Sequence, residues 1–238
     1  MKNGPLFFFG LFIALVLSWG VVMQANLQLG HLTPYNDENE GRAFPERASG
    51  LAARGQMIYA DLGCAACHTQ QVRRPDFGAD QARGWGERQS YARDYIHQAR
   101  VQLGESRVGP DLANLGVRKP PYDAEDLLKF LYTGTIPLAK TATHPPYKFL
   151  FEQRTIADRQ PSQTALKLGG NVNVPAGHEI VPSERALSLV AYLLSLDHSY
   201  AYPAETSTNT VAPAADAAHK AAPVSDAGKA AAPAHSHK

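Results

Sequence analysis

The sequence predicts a mainly α-helical protein built from one N-terminal transmembrane helix, a small helical domain and a disordered Ala/Pro-rich C-terminal tail. Three observations carry that expectation. An uncharged apolar run extends from Leu6 to Met23, capped apolar-periodic segments recur between Ser49 and Leu196, and the composition changes abruptly after Tyr202. The divisions drawn from these are residues 1–26 as anchor, 27–48 as tether, 49–198 as the folded domain and 199–238 as tail. A net charge of +1 offers no basic field to attract nucleic acid.

The anchor comes first. A helix over Leu6–Met23 is close to the roughly 17–25 apolar residues that span a bilayer core. A cleaved signal peptide has a shorter apolar run of about 7–15 residues and a small-x-small cleavage site. Met23-Gln24-Ala25 is a poor one, which favours a retained anchor. Lys2 precedes the helix, whereas Asp37, Glu38 and Glu40 follow it before Arg42. The positive-inside bias then puts the N-terminus in the cytoplasm and everything after Met23 on the exported side.

Residues 27–48 lack clear periodicity and read as a tether. Ser49 to Gly63 reads as a helix with Leu51, Met57, Ile58 and Leu62 apolar and Gly55 small. An Arg-, Gly- and Gln-rich stretch follows, then a candidate helix at Ser90–Gln102 and a turn at Gly109-Pro110-Asp111. Asp123 suits the N-cap of a helix carrying Leu127, Leu128, Phe130 and Leu131, with Glu125 and Asp126 at its positive end and Gly134 to stop it. Prolines and glycines then interrupt everything up to Pro182 except a short candidate helix at Ser162–Leu168. Ser183 caps the clearest helix, where Leu187, Val190, Leu193 and Leu194 recur at three- and four-residue steps. The tail lacks the apolar side chains that would offset the entropy of ordering, and its His219, His235 and His237 read as solvated.

Cys64-Ala-Ala-Cys67-His68 is the pattern of covalent c-type haem attachment. Two thiols three residues apart lie on one side of a helical turn and reach the two porphyrin vinyl groups, and the adjacent imidazole becomes the proximal iron ligand. A dithiol redox site would want a βαβ context, and half a zinc site would want a second cysteine pair; Cys64 and Cys67 are the only cysteines. One covalent haem c needs a helical shell. The helix before Cys64 and the helix at 183–198 are expected to cross beside it, with Gly55 permitting close approach and Tyr59 and Tyr192 at the crossing. The alternative is that Gly55 is simply a weak spot costing about 1 kcal/mol relative to Ala.

Several stretches resemble the mono-haem subunit II of cbb-type (C-family) haem-copper cytochrome c oxidases. These are Gly55-x-x-x-Tyr59, Gly63-Cys-Ala-Ala-Cys-His-Thr-Gln-Gln-Val-Arg73, Arg107-Val-Gly-Pro-Asp-Leu112, Pro145-Pro-Tyr-Lys-Phe-Leu-Phe151 and Leu189-Val-Ala-Tyr-Leu-Leu194. The resemblance implies a class I-like cytochrome c domain on the periplasmic side of a bacterial cytoplasmic membrane. It would be docked with other cytochrome subunits on a catalytic oxidase subunit and relay electrons toward it, with no catalysis of its own. It also implies that the Pro110 carbonyl accepts from the proximal imidazole, and that Arg73 and Arg107 are candidates for the haem propionates; plain surface ion pairs are the alternative for these arginines.

The family's second axial ligand is a methionine before the Pro-Pro-Tyr stretch; this sequence has His144 there. Met1, Met23 and Met57 are the only methionines: two belong to the anchor region and Met57 lies on the helix leading into the attachment motif. Bis-histidine ligation by His68 and His144 is therefore expected, with Pro145 and Pro146 stiffening the loop and a lower reduction potential as the consequence. The alternatives are an exposed His144 with five-coordinate iron, or His97, His178 or Lys140 in its place. The corresponding alternative functions are a tethered cytochrome serving another redox complex and a ligand-binding or peroxidatic haem protein.

Overall fold

A computed structural model describes residues 3–29, 32–135, 144–157, 160–169 and 172–203. Lys140, and the tail from residue 204 with its three histidines and its expected disorder, lie outside the described residues.

Helix α1 spans Gly4–Leu29. Its Gly4–Leu27 stretch is 24 residues long, has a mean hydropathy of 2.5 and buries nothing against the rest of the described chain. At 1.5 Å per residue this is about 36 Å, enough for a hydrocarbon core of roughly 30 Å. It fits a single-pass membrane anchor. Within the segment read as a tether, β1 (Tyr35–Asp37) and β2 (Arg42–Phe44) pair antiparallel around a turn closed by Gly41 at φ +63°. Phe44 stacks on Tyr200 with ring centroids 3.7 Å apart, and the Tyr200 hydroxyl donates to Asp37 at 2.6 Å. The hairpin is thus tied to the residues that follow the last helix.

Helix α2 (Gly50–Asp61) begins where the Ser49 hydroxyl accepts from the Ala52 amide. α3 (Ala124–Thr133) begins at Asp123, whose carboxylate accepts from Asp126 N at 2.7 Å, and stops at Gly134 in the left-handed region. α4 (Glu184–Leu194) begins at Ser183, which accepts from Ala186 N. The caps at Asp123 and Ser183 are those expected from sequence, and Ser49 stands where the first of the three helices was expected to begin. α2 and α4 cross at Gly55. A Cβ added there would lie 1.9 Å from the Ser188 carbonyl oxygen and 2.6 Å from Tyr192 Cβ, so only glycine permits this approach. The Tyr59 and Tyr192 rings meet edge to face at 5.5 Å beside it. Leu127, Leu128 and Leu131 of α3 join Leu189 and Leu193 of α4 in the same core.

Two expected helices do not form. Ser90–Gln102 contains only a 3-10 turn at Ala92–Tyr95. Asp94 is drawn instead into bonds with Arg88 and the Tyr91 amide, and the Tyr95 hydroxyl donates inward to the Gln70 carbonyl. Ser162–Leu168 is a turn whose amides go elsewhere: Ser162 N donates to Glu179 and Leu166 N to the Ile180 carbonyl. Both recipients lie on β4 (His178–Pro182), which pairs antiparallel with β3 (Phe151–Thr155). This second hairpin was not foreseen, because more than twenty residues rich in Pro and Gly separate its strands and no tight-turn signal joins them.

Candidate functional site

The attachment motif sits where α2 ends. Gly63, at φ +70°, turns the chain out of the helix into a 3-10 turn at Cys64–Ala66, and the His68 amide donates back to the Cys64 carbonyl at 3.0 Å. Cys64 is half-buried against the core and Cys67 is exposed. As a free thiol Cys64 is pushed by burial up to about 11, so it is not a thiolate at neutral pH. Among the described residues no group of three or more His, Cys, Asp and Glu side chains is placed to hold a metal ion.

His68 is held from three directions. Its Nδ1 lies 2.8 Å from the Pro110 carbonyl oxygen, a bond that requires the proton on Nδ1 and leaves the Nε2 lone pair free. Gly109 lies flat against the ring: a Cβ there would be 2.2 Å from His68 Cε1 and 2.6 Å from Nδ1. The run 67–71 is laced to 109–112 by Gly109 N to the Cys67 carbonyl at 2.9 Å and Leu112 N to the Thr69 carbonyl at 2.7 Å. The fully buried Asp111 completes the lacing. One of its oxygens accepts from Thr69 Oγ1 at 2.6 Å and Gln71 N at 2.7 Å, the other from Ala113 N at 2.9 Å. Burial lowers the His68 pKa despite the Pro110 bond, favouring the neutral imidazole that binds metal.

His144 faces this ring from the end of α3. Its amide donates to the Gly134 carbonyl at 2.9 Å, and Tyr147 N donates to the Leu131 carbonyl at 2.7 Å, so the segment is hung on the helix C-terminus. The Phe130 ring packs at 4.6 Å and Tyr147 at 5.5 Å. His144 Nδ1 lies 2.8 Å from the Pro145 carbonyl, again leaving Nε2 free. Burial, with His68 nearby, lowers its pKa as well. The His68 and His144 ring centroids are 6.1 Å apart, with planes at 39°. Two imidazoles bound to one iron through Nε2, at about 2.0 Å per Fe–N bond, place their centroids roughly 6 Å apart. The pair therefore fits a six-coordinate haem iron. Neither His97 nor His178 makes a ring contact with His68, and Met57 is 63% exposed on α2.

Arg73 and Arg107 both turn to Asp80, which is fully buried. Arg73 reaches it through its amide at 2.7 Å and its guanidinium at 3.3 Å; Arg107 also donates to the Gln71 carbonyl at 2.6 Å. Burial alone would raise the Asp80 pKa, but the bonds from Arg107 and Arg73 outweigh it and hold the carboxyl at about 2. Three contributors escaped the sequence reading: Gly109 against the imidazole, Asp111 bonded to Thr69 and Gln71 next to it, and Arg118, whose guanidinium donates to the Asp111 carbonyl at 2.5 Å. The Gly-Pro-Asp stretch signals a turn and, by resemblance, the Pro110 carbonyl at the imidazole, which the 2.8 Å separation from His68 Nδ1 fits; it carries no mark of what Gly109 and Asp111 do.

The family model for the cytochrome c oxidase mono-heme subunit, FixO, matches residues 8–218. No curated protein matches the chain.

Proposed function

The chain belongs to the family of the mono-haem cytochrome c oxidase subunit of cbb-type oxidases, and from that premise we propose how its haem is held and used. Cys64 and Cys67 form the two thioether links, His68 is the proximal ligand and His144 the distal one. The observation that carries this is the pair of imidazoles 6.1 Å apart, each with Nδ1 committed to a backbone carbonyl and Nε2 free. The haem supplies reversible one-electron chemistry. The chain supplies its orientation, its ligands and a shell that excludes water from one side.

Both ligands favour the ferric state. An imidazole in place of a thioether lowers the potential, and an Nδ1–H bonded to a carbonyl makes the ring more basic. The domain lies on the periplasmic side of the cytoplasmic membrane, held by α1, and passes electrons to the catalytic haem-copper subunit beside the other cytochromes of the complex. The charge asymmetry around α1 supports that orientation. Pro110 fixes the proximal ring. Arg73 and Arg107, satisfied by Asp80, serve to fold the loop over the proximal side.

Purifying the full chain through its membrane anchor tests the proposal. One haem should stay with the polypeptide after denaturation, and the oxidase subunits should accompany it. Haem released by denaturation, or a chain that purifies with no oxidase subunit, would overturn the corresponding half.

A further inference from the structure

Arg118, whose charge is felt at His68, forms no ion pair among the described residues; nearby Tyr122 and Asp111 offset its burial only in part. Arg118 follows the 3-10 turn at Leu115–Val117 and is partly buried. Its Nη2 donates to the Asp111 carbonyl at 2.5 Å, while its Nε is fully buried without a hydrogen-bond partner. Among the described residues no carboxylate lies within ion-pair distance of it, whereas Arg73 and Arg107 share the buried Asp80 and Arg88 is paired with Asp94. Burial works against its charge, and its charge in turn acts on His68, after the larger effects of burial and of the Pro110 and Asp111 groups. A guanidinium does not shed its proton at any ordinary pH. A buried donor left unpaired is costly, and more so when charged, unless something else meets it.

We propose that Arg118, rather than Arg73 or Arg107, is the residue that binds a haem propionate, using its unpartnered Nε–H while Nη2 holds the Asp111 carbonyl. This rests on the haem assignment made above. A guanidinium fork suits a carboxylate, and a haem is the only group in that assignment that brings carboxylates to this side of His68. The same side chain grips the residue next to Pro110, so it ties the propionate to the loop that orients the proximal imidazole. Arg118 is thus a binding and positioning residue. Its positive charge offsets a propionate's negative one and holds the potential up against the effect of two histidine ligands.

The test uses the full chain, purified with haem, as Arg118→Gln, Arg118→Lys and Arg107→Gln. The readouts are the midpoint potential and the redox-induced infrared difference bands of the propionate carboxylates. Arg118→Gln should lower the potential and shift a propionate band, Arg118→Lys should recover most of the potential, and Arg107→Gln should leave the band in place. A haem-loaded, low-spin Arg118→Gln protein with unchanged potential and bands would overturn the inference, as would a band that moves with Arg107→Gln instead. Should Arg118→Gln fail to accumulate, Arg118→Lys still decides, because replacing the fork by an ammonium must shift the band; an unmoved band overturns it. An unaltered chain without haem would instead overturn the haem assignment itself.

Discussion

Replacing Gly55 by Ala separates two accounts of that glycine by the sign of its effect. An alanine methyl would sit 1.9 Å from the Ser188 carbonyl oxygen and 2.6 Å from Tyr192 Cβ, where ordinary contact begins near 3.4 Å. Both obstacles are rigid: one is helix backbone, the other a Cβ. α4 must therefore retreat by more than about 1 Å, loosening the Tyr59–Tyr192 contact and the leucines behind it, and a gap of 0.5–1 Å already forfeits roughly a quarter to a half of each dispersion contact. Overpacking of this kind costs about 1–3 kcal/mol, here at the upper end. The better helix propensity of alanine returns about 1 kcal/mol. The net loss is about 2 kcal/mol, or about 4–8 °C in Tm for a chain of this size. Thermal unfolding of the detergent-solubilised full chain, followed by haem absorbance, measures it. An unchanged or raised Tm would refute the crossing geometry, since that is the outcome if Gly55 is only a weak spot in a helix.

Gly109→Ala puts a methyl 2.2 Å from His68 Cε1, so the ring must tilt and lose its bond to Pro110; the absorption spectrum should gain a high-spin component, and a wild-type spectrum would contradict the packing. Asp80 gives a pH signature. Its folded pKa of about 2 lies below the usual 3.8, so its contribution of about 2 kcal/mol is present above pH 4 and is lost as pH falls toward 2. Asp80→Asn should remove that acid-dependent part of the stability curve, and identical curves for the two proteins would count against the Arg73–Asp80–Arg107 cluster. Tyr200→Ala removes the ring stacked on Phe44 and the donor to Asp37; limited proteolysis should then cut faster between residues 32 and 48, and an unaltered cleavage rate would mean the hairpin is held by other contacts.

How much of this was legible in the sequence followed from how local each feature is. Asp123 and Ser183 announced their helices because a cap acts on amides two or three residues away, and the apolar pattern from Ser49 announced the other. His144 was legible from its position before Pro145-Pro146-Tyr147, although its mooring to Gly134 was not. The hairpin of β3 and β4 stayed hidden because its pairing is long-range, and the would-be helix at Ser90–Gln102 was overridden by Arg88 and Gln70, which claim Asp94 and Tyr95. Charged residues were the hardest to place. Arg73, Arg107 and Arg118 look alike in sequence, and only the fold shows that the first two converge on Asp80 while the third keeps a buried N–H without a partner.

The axial ligation of the iron bears most directly on the whole account. Near-infrared and electron paramagnetic resonance spectra of the ferric full chain should show a low-spin haem with no methionine-to-iron charge-transfer band, and His144→Ala should convert it to a high-spin form that binds carbon monoxide readily when reduced. A methionine band in the unaltered protein, or a spectrum that His144→Ala leaves unchanged, would contradict ligation by His68 and His144.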